Sequence, residues 1–137
     1  MTGFEMFWPL LAHAFLIFSL YGLLVVRRAA VVKSGEVKRE AFRENRDEPQ
    51  ASRVVNKAIA NQFELPVLFY AVCVLLYIAE ADNLAAVVGA WAFVLARYVQ
   101  ATMQLTGNLP LRRLSFMAGF VILFLLWIWL GAWMAFS

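Results

Sequence analysis

The chain has 137 residues, of which 64% are hydrophobic and 15% are charged, against roughly 25% charged residues in ordinary soluble domains. This composition excludes a soluble domain and predicts a membrane protein with room for one bundle and no second domain. The net charge of +3 does not indicate nucleic-acid binding, because most basic residues lie between apolar runs, where membrane topology explains them. The only cysteine, Cys73, excludes an intrachain disulfide and lies in an apolar run, which favours a small buried side chain.

The first predicted element is a membrane span over residues 6–26, retained because no basic region precedes it as in a cleavable signal. His13, the only histidine, lies in this span without companions that could share a metal, so a packed, hydrogen-bonded side chain is favoured over a proton relay. The charged loop 27–52 follows, and acidic residues at helical spacing predict a short surface helix inside it: Glu36, Glu40 and Glu44.

Three more apolar runs predict spans over residues 53–79, 84–106 and 114–136. Each holds around 20 apolar-dominated residues, enough for a helix to cross a hydrocarbon core of ~30 Å. We therefore expect residues 1–137 to form a single all-α domain, an integral membrane four-helix bundle. The loops 27–52 and 107–113 carry the basic residues, so the positive-inside rule predicts cytoplasmic loops and both termini outside.

Polar residues in the later spans gather toward the predicted cytoplasmic side. Their spacing of three or four residues places those of the second span on one helix face and those of the third span on another. The nine candidate site residues are Arg53, Lys57, Asn61, Glu64, Arg97, Gln100, Gln104, Arg112 and Arg113. Such a set predicts a cationic cavity for a small polyanionic ligand with amide groups, and no metal site.

The alternative interpretation is a set of snorkelling helix-end residues with one interhelical pair. Glu64 and Arg97 favour a functional role, because both lie several residues inside their spans. A carboxylate at the depth of Glu64 needs a cationic partner. Arg97 is the best candidate within the protein, and an ammonium group on a ligand is the other.

The stretch Asn61-Gln-Phe-Glu64-Leu-Pro66, in a second span after a basic loop, resembles the MAPEG family (membrane-associated proteins in eicosanoid and glutathione metabolism), which includes microsomal glutathione transferases. Arg97, the Thr106-Gly-Asn stretch, the arginine pair before the fourth span and the four-span layout extend the resemblance. It implies a homotrimer in a membrane, here a bacterial inner membrane. Glutathione would bind as a co-substrate between subunits near the cytoplasmic side.

The resemblance assigns roles to the second span. Asn61 and Glu64 match the family's asparagine and glutamate that hold glutathione. Lys57 stands where the family has an arginine; it keeps the charge but loses the two-pronged fit to a carboxylate. Arg53, two turns before Asn61, is a possible substitute for that arginine.

The same resemblance extends to the third and fourth spans. Arg97 matches a basic residue of the third span. Gln104, with Gln100 before it, replaces a tyrosine found in several members of the family. Arg112 or Arg113 matches an arginine that stabilises the glutathione thiolate, which is the catalytic role.

These roles imply a glutathione-dependent transferase or peroxidase acting on lipophilic electrophiles, with membrane lipids and an apolar small molecule as partners. A non-catalytic membrane protein that binds lipid or a protein partner is the alternative, motivated by Lys57 and by the missing tyrosine. A small transporter or proton relay built on Glu64 and His13 is a third hypothesis. It is less favoured, because the sequence shows no internal repeat of the kind many transporters carry.

Overall fold

The computed structural model describes residues 3–33 and 50–136, which form only helices and turns. Its helices are α1 (Phe7–Lys33), α2 (Gln50–Asn61), α3 (Leu65–Ile78), α4 (Leu84–Thr106) and α5 (Leu109–Ala135). Because α2 and α3 follow one another as a single apolar segment, four segments are long and apolar enough to cross a membrane. The predicted all-helical membrane architecture is thus confirmed for this part of the chain.

The first helix is longer than predicted, since α1 continues past residue 26 to Lys33. At 27 residues it is about 40 Å long, more than the hydrocarbon core requires, so its basic end reaches the interface. The surface helix predicted within the loop 27–52 falls on residues 34–49, which lie outside the described residues.

The turn between α4 and α5 is shorter than predicted. Gly107 ends α4 with a φ of +81°, a left-handed conformation that favours glycine. Asn108 then caps α5, its side chain accepting a hydrogen bond from the Leu111 amide at 3.2 Å, and a proline follows within the first turn. The fourth span therefore begins at Leu109 and not at residue 114. Arg112 and Arg113 lie on the first turns of a helix, where the sequence placed them in a loop.

The second span is not one continuous helix, as its prediction over 53–79 assumed. The chain turns at residues 62–64 before α3 starts at Leu65. Pro66 explains the break, because it has no amide hydrogen and its ring would clash with the carbonyl of Gln62, four residues earlier. The break places Asn61 at the end of α2 and Glu64 immediately before α3.

The bundle is organised around α4, which contacts α1, α2 and α5. One buried cluster has the stacked rings of Phe69 and Phe93 at its centre, with centroids 4.4 Å apart. A second cluster fills the space between α1, α2 and α4 and includes Leu20 and Val55. Cys73 is buried and unpaired, as predicted. Large apolar side chains cover the outer face, as expected of a surface that meets lipid.

Candidate functional site

A cavity of about 650 Å³ lies between α2 and α5, with α4 forming its floor. It forms because α2 packs on α1 and α4, whereas α5 packs on α4 and α3. Its volume falls within the range of roughly 300 to 1,000 Å³ that small-molecule sites occupy. The lining residues are Lys57, Ala60, Asn61, Glu64, Gln100, Gln104, Arg112, Arg113, Phe116 and Met117.

Seven of the nine predicted site residues line this cavity, and Arg53 and Arg97 do not. Arg53 lies exposed on α2, one turn before the cavity wall. Arg97 is buried beneath the cavity, with 1% of its surface exposed. The structure therefore brings seven of the nine predicted residues together at this cavity and places these two arginines outside its lining.

Both signs of charge face the cavity. Lys57 comes from α2, and Arg112 and Arg113 come from the first turns of α5. Glu64 is the one carboxylate among the described lining residues. Its side chain is exposed and makes no capping hydrogen bond to α3. Three cations and one carboxylate suit a ligand that carries several negative groups and one positive group.

Three amide side chains lie among these charges. Asn61 Nδ2 donates a hydrogen bond to Gln104 Oε1 at 3.0 Å, which joins α2 to α4 across the floor. Gln100 is 3% exposed, and its Oε1 has no hydrogen-bond partner among the residues that the structure describes. A buried polar atom without a partner costs about 1–3 kcal/mol. A donor group on a bound molecule would remove that cost.

Arg97 stabilises the break in the second span. Its Nη2 donates to the backbone carbonyl of Asn61 at 2.8 Å, and its Nε donates to Gln62 Oε1 at 3.4 Å. The first bond satisfies a carbonyl at the end of α2, where a helix lacks acceptor partners of its own. Arg97 and Glu64 attract each other electrostatically but do not form a hydrogen-bonded ion pair. Within the described chain, Arg97 therefore does not form an ion pair with Glu64.

A buried polar network continues from the break into α1 and α3. Gln62 Oε1 also accepts from His13 Nε2 at 2.8 Å, and Gln62 Nε2 donates to the carbonyl of Ala58 at 3.1 Å. The other ring nitrogen of His13, Nδ1, is hydrogen-bonded to the hydroxyl of Tyr70. The prediction that His13 is packed and hydrogen-bonded is confirmed. The roles of Gln62 and Tyr70 in this network were not predicted. For Gln62, the local signal was a second amide side chain next to Asn61, four residues before Pro66.

The comparisons with known proteins are consistent with this architecture. A family model described as the MAPEG family matches residues 6–132, nearly the whole chain. The chain belongs to the MAPEG family. No curated protein and no solved structure is detectably similar to it. As a MAPEG protein with four membrane-crossing segments, it is a multi-pass integral membrane protein of a family generally associated with glutathione.

The two residues that carry the MAPEG resemblance flank the break in the second span. Asn61 closes α2 and Glu64 precedes α3, and both line the same cavity. The break turns the chain between them, so their side chains need not follow the spacing of one helix. The local sequence signal for this geometry is Pro66, and its tertiary support is the hydrogen bond from Arg97 to the Asn61 carbonyl.

Proposed function

We propose that this MAPEG protein is a membrane-embedded, glutathione-dependent transferase or peroxidase that acts on lipophilic electrophiles. The observation that carries the proposal is the composition of the cavity between α2 and α5: three cations, one carboxylate and three amides. Glutathione has two carboxylates, one ammonium group, two peptide bonds and a thiol. Each class of group in the ligand therefore has a complementary partner in the cavity.

The roles follow from charge and position. Glu64 binds the ammonium group, and the amides Asn61, Gln100 and Gln104 bind the peptide bonds. Lys57 and Arg112 bind carboxylates. Because Arg97 is buried beneath the cavity, we propose that it positions Asn61 and do not give it a contact with the ligand.

Arg113 is the residue we assign to the thiol. A free thiol is mostly protonated at neutral pH, and a nearby guanidinium group favours the thiolate, which is the nucleophile. In a transfer reaction the thiolate sulfur attacks the electrophilic carbon and forms a C–S bond, and the leaving group departs with its electron pair.

In a peroxidase reaction the sulfur attacks a hydroperoxide oxygen and the O–O bond breaks. The alkoxide takes up a proton and leaves as an alcohol, and the glutathione becomes a sulfenic acid. A second glutathione then reduces the sulfenic acid, giving a disulfide and water.

A lipophilic second substrate would reach the thiol from the bilayer. Phe116 and Met117 line the same cavity one turn after the arginines, and both side chains are partly exposed. Methionine and aromatic side chains adapt to apolar ligands of varied shape. The position of these two side chains supports the proposal that the electrophile partitions into the membrane and enters the cavity from there.

We also propose a homotrimer with the second span at the central contact, and with the basic end of the bundle in the cytoplasm. Lys57 and Glu64 are exposed in a single subunit although they lie on a membrane-crossing segment. Polar groups at such positions are costly unless they face protein or water. A neighbouring subunit would cover them and complete the cavity. A bacterial inner membrane, with both termini outside, fits the positive-inside rule.

The test uses the full chain purified in mild detergent, with glutathione and either an aryl halide or a lipid hydroperoxide. We expect saturable glutathione binding and turnover, and we expect Arg113→Leu to abolish most turnover. Arg28→Gln is the matched control, because Arg28 on α1 lines no part of the cavity. The absence of both turnover and glutathione binding would refute the proposal.

One observation favours the alternative of a non-catalytic protein that binds lipid or a protein partner. The Asn61 amide, which would hold glutathione, already donates to Gln104 at the position where several MAPEG members have a tyrosine. Conjugation of glutathione that collapses on Arg113→Ala would exclude this alternative.

A further inference from the structure

His13 is fully buried on α1 and does not line the cavity between α2 and α5, yet it contacts a residue of the break in the second span. Its Nε2 lies 2.8 Å from Oε1 of Gln62, the first of the residues 62–64 that turn the chain between α2 and α3. The proposed glutathione chemistry assigns His13 no role. A buried side chain outside a site can still act on it by fixing the groups that hold the site residues in place.

The hydrogen bonds around Gln62 determine which ring nitrogen of His13 carries the hydrogen. Gln62 Nε2 donates to the Ala58 carbonyl at 3.1 Å, and Gln62 Oε1 accepts from Arg97 Nε at 3.4 Å. Because this oxygen can only accept, His13 Nε2 is the donor to it. In the neutral ring, Nδ1 then carries no hydrogen and accepts from the Tyr70 hydroxyl. Each ring nitrogen of His13 thus has its own partner, Gln62 in the break and Tyr70 on α3.

From Gln62 the contacts lead to the residues that line the cavity. The guanidinium group that donates to Gln62 through Nε also donates through Nη2 to the Asn61 carbonyl at 2.8 Å. A guanidinium group is planar and presents its N–H groups in a fixed fork, so the bond at Nε restricts the direction of Nη2. The Asn61 carbonyl begins the turn that leads to Glu64. Its position therefore affects how the side chains of Asn61 and Glu64 are placed relative to each other.

We propose that His13 is a positioning residue for the ligand cavity. Its Nε2 hydrogen fixes the Gln62 side chain, which orients the guanidinium group of Arg97. That group in turn fixes the carbonyl of Asn61 and the turn that leads to Glu64. The inference rests on the proposed function, because Asn61 and Glu64 are two of the residues proposed to bind glutathione. It adds a residue of α1 that does not itself line the cavity.

Two substitutions of His13 separate the roles of its two ring nitrogens. In His13→Gln the amide nitrogen takes the place of Nε2, so the bond to Gln62 is kept and the bond to Tyr70 is lost. In His13→Asn the shorter side chain places its oxygen near the position of Nδ1, so the bond to Tyr70 is kept and the bond to Gln62 is lost. Both variants also lose the edge-on packing of the ring against Phe69, and both should lower the midpoint of unfolding in sodium dodecyl sulfate. Only His13→Asn should disturb the break.

The first measurement is the dependence of turnover on glutathione concentration, with the full chain in mild detergent. We expect His13→Asn to raise the KM for glutathione about tenfold, the effect of one lost charge-assisted hydrogen bond, and to keep kcat within about twofold. The kcat should be kept because Arg113 lies on α5, which packs on α3 and α4. We expect His13→Gln to raise KM less than about threefold, because it keeps the donor to Gln62. A purely structural role would lower the folded fraction, and therefore the apparent kcat, without changing KM.

The second measurement is native-state hydrogen exchange followed by mass spectrometry, which needs no ligand. The backbone amides of Gln62 and Phe63 donate to carbonyls one turn earlier, at 2.9 and 3.1 Å, so their exchange reports on the break. We expect these two amides to exchange about tenfold faster in His13→Asn than in His13→Gln.

Two further variants serve as a control and as a second test. Tyr98→Phe removes the hydrogen bond from the Tyr98 hydroxyl to the Ala12 carbonyl, beside His13, and should change neither KM nor exchange at the break. Arg97→Lys keeps the charge, but a single ammonium group cannot reproduce the fork that binds both acceptors at the break. It should therefore raise KM as His13→Asn does. With Arg97→Lys, the test does not depend on the folding of His13→Asn.

Four results would overturn the inference: equal KM values in His13→Asn and His13→Gln, equal exchange at the break in these two variants, a native KM in Arg97→Lys, or a lower kcat with unchanged KM in His13→Asn. If the native chain does not bind glutathione, the proposed function fails. Hydrogen exchange then decides separately whether His13 positions the break, so the two proposals can fail independently.

Discussion

Replacing Gln62 by leucine should destabilise the bundle more than any other amide substitution near the cavity. Gln62 is 1% exposed and holds three hydrogen bonds. Its Oε1 accepts from His13 Nε2 and from Arg97 Nε, and its Nε2 donates to the Ala58 carbonyl. The backbone amide of Gln62 donates instead to Ile59, so the side chain supplies a donor to Ala58 where the helix ends. Leucine fills similar space and makes none of these bonds.

The magnitude follows from the groups left without partners. A buried donor or acceptor that loses its partner costs about 1–3 kcal/mol, and more if it is charged. Hydrogen bonds between membrane helices contribute less to stability, about 0.6 kcal/mol on average, because the polar groups of the unfolded chain in the membrane also form hydrogen bonds. Three lost bonds, one of them to a guanidinium group, therefore predict a loss of about 2–4 kcal/mol in the free energy of unfolding. The guanidinium of Arg97 already has one nitrogen, Nη1, without a partner in the described chain, so it has little means of compensation.

The assay is unfolding in mixed micelles with increasing sodium dodecyl sulfate, followed by circular dichroism. Gln104→Leu is the matched control, because it makes the same chemical change and loses the hydrogen bond to Asn61 at the cavity floor. We expect the control to cost less than about 1 kcal/mol. A Gln62→Leu protein within about 0.5 kcal/mol of the native chain, or equal losses in the two variants, would refute the reasoning.

Three further predictions follow from single residues. Glu64→Gln should keep the melting temperature and weaken glutathione binding about tenfold by calorimetry, since it removes the carboxylate proposed to bind the ammonium group; unchanged affinity would remove Glu64 from the site. Tyr70→Phe should cost about 0.5–1.5 kcal/mol in the same unfolding assay, because His13 loses a hydrogen bond, and a stability equal to the native value would contradict the network. Gly107→Ala should cost about 1–2 kcal/mol because of its φ of +81°, whereas Gly131→Ala, with open space around it and no positive φ, should be neutral.

The four membrane segments could be predicted from the sequence because the length of an apolar run is a local property. The ends of α4 were also predictable: Asn83 caps its start by accepting from the Ala86 amide, and Gly107 ends it. The break between α2 and α3 was not predicted. Pro66 signals it, but a broken helix inside a membrane is tolerated only where other groups satisfy the freed carbonyls. That support comes from Arg97, which lies 36 residues from Asn61, and no local pattern shows such a contact.

In the candidate site, too, the sequence predicts which residues share a helix face but not which neighbouring helix covers them. The spacing of Arg97, Gln100 and Gln104 places them on one face of α4, and all three are buried. Only the two glutamines line the cavity, because the end of α2 packs over Arg97 one turn deeper. Spacing along a helix gives the direction of a side chain, whereas the residues that cover it depend on the neighbouring helix.

The most direct test of the account is the ultraviolet absorbance of the glutathione thiolate, measured while glutathione is titrated into the purified protein at neutral pH. If the cavity binds glutathione and Arg113 stabilises its thiolate, a thiolate signal should appear and saturate in the native protein and in Arg28→Gln. In Arg113→Leu the signal should be lost while glutathione still binds. Binding without any thiolate signal in the native protein, or no saturable binding at all, would contradict the account.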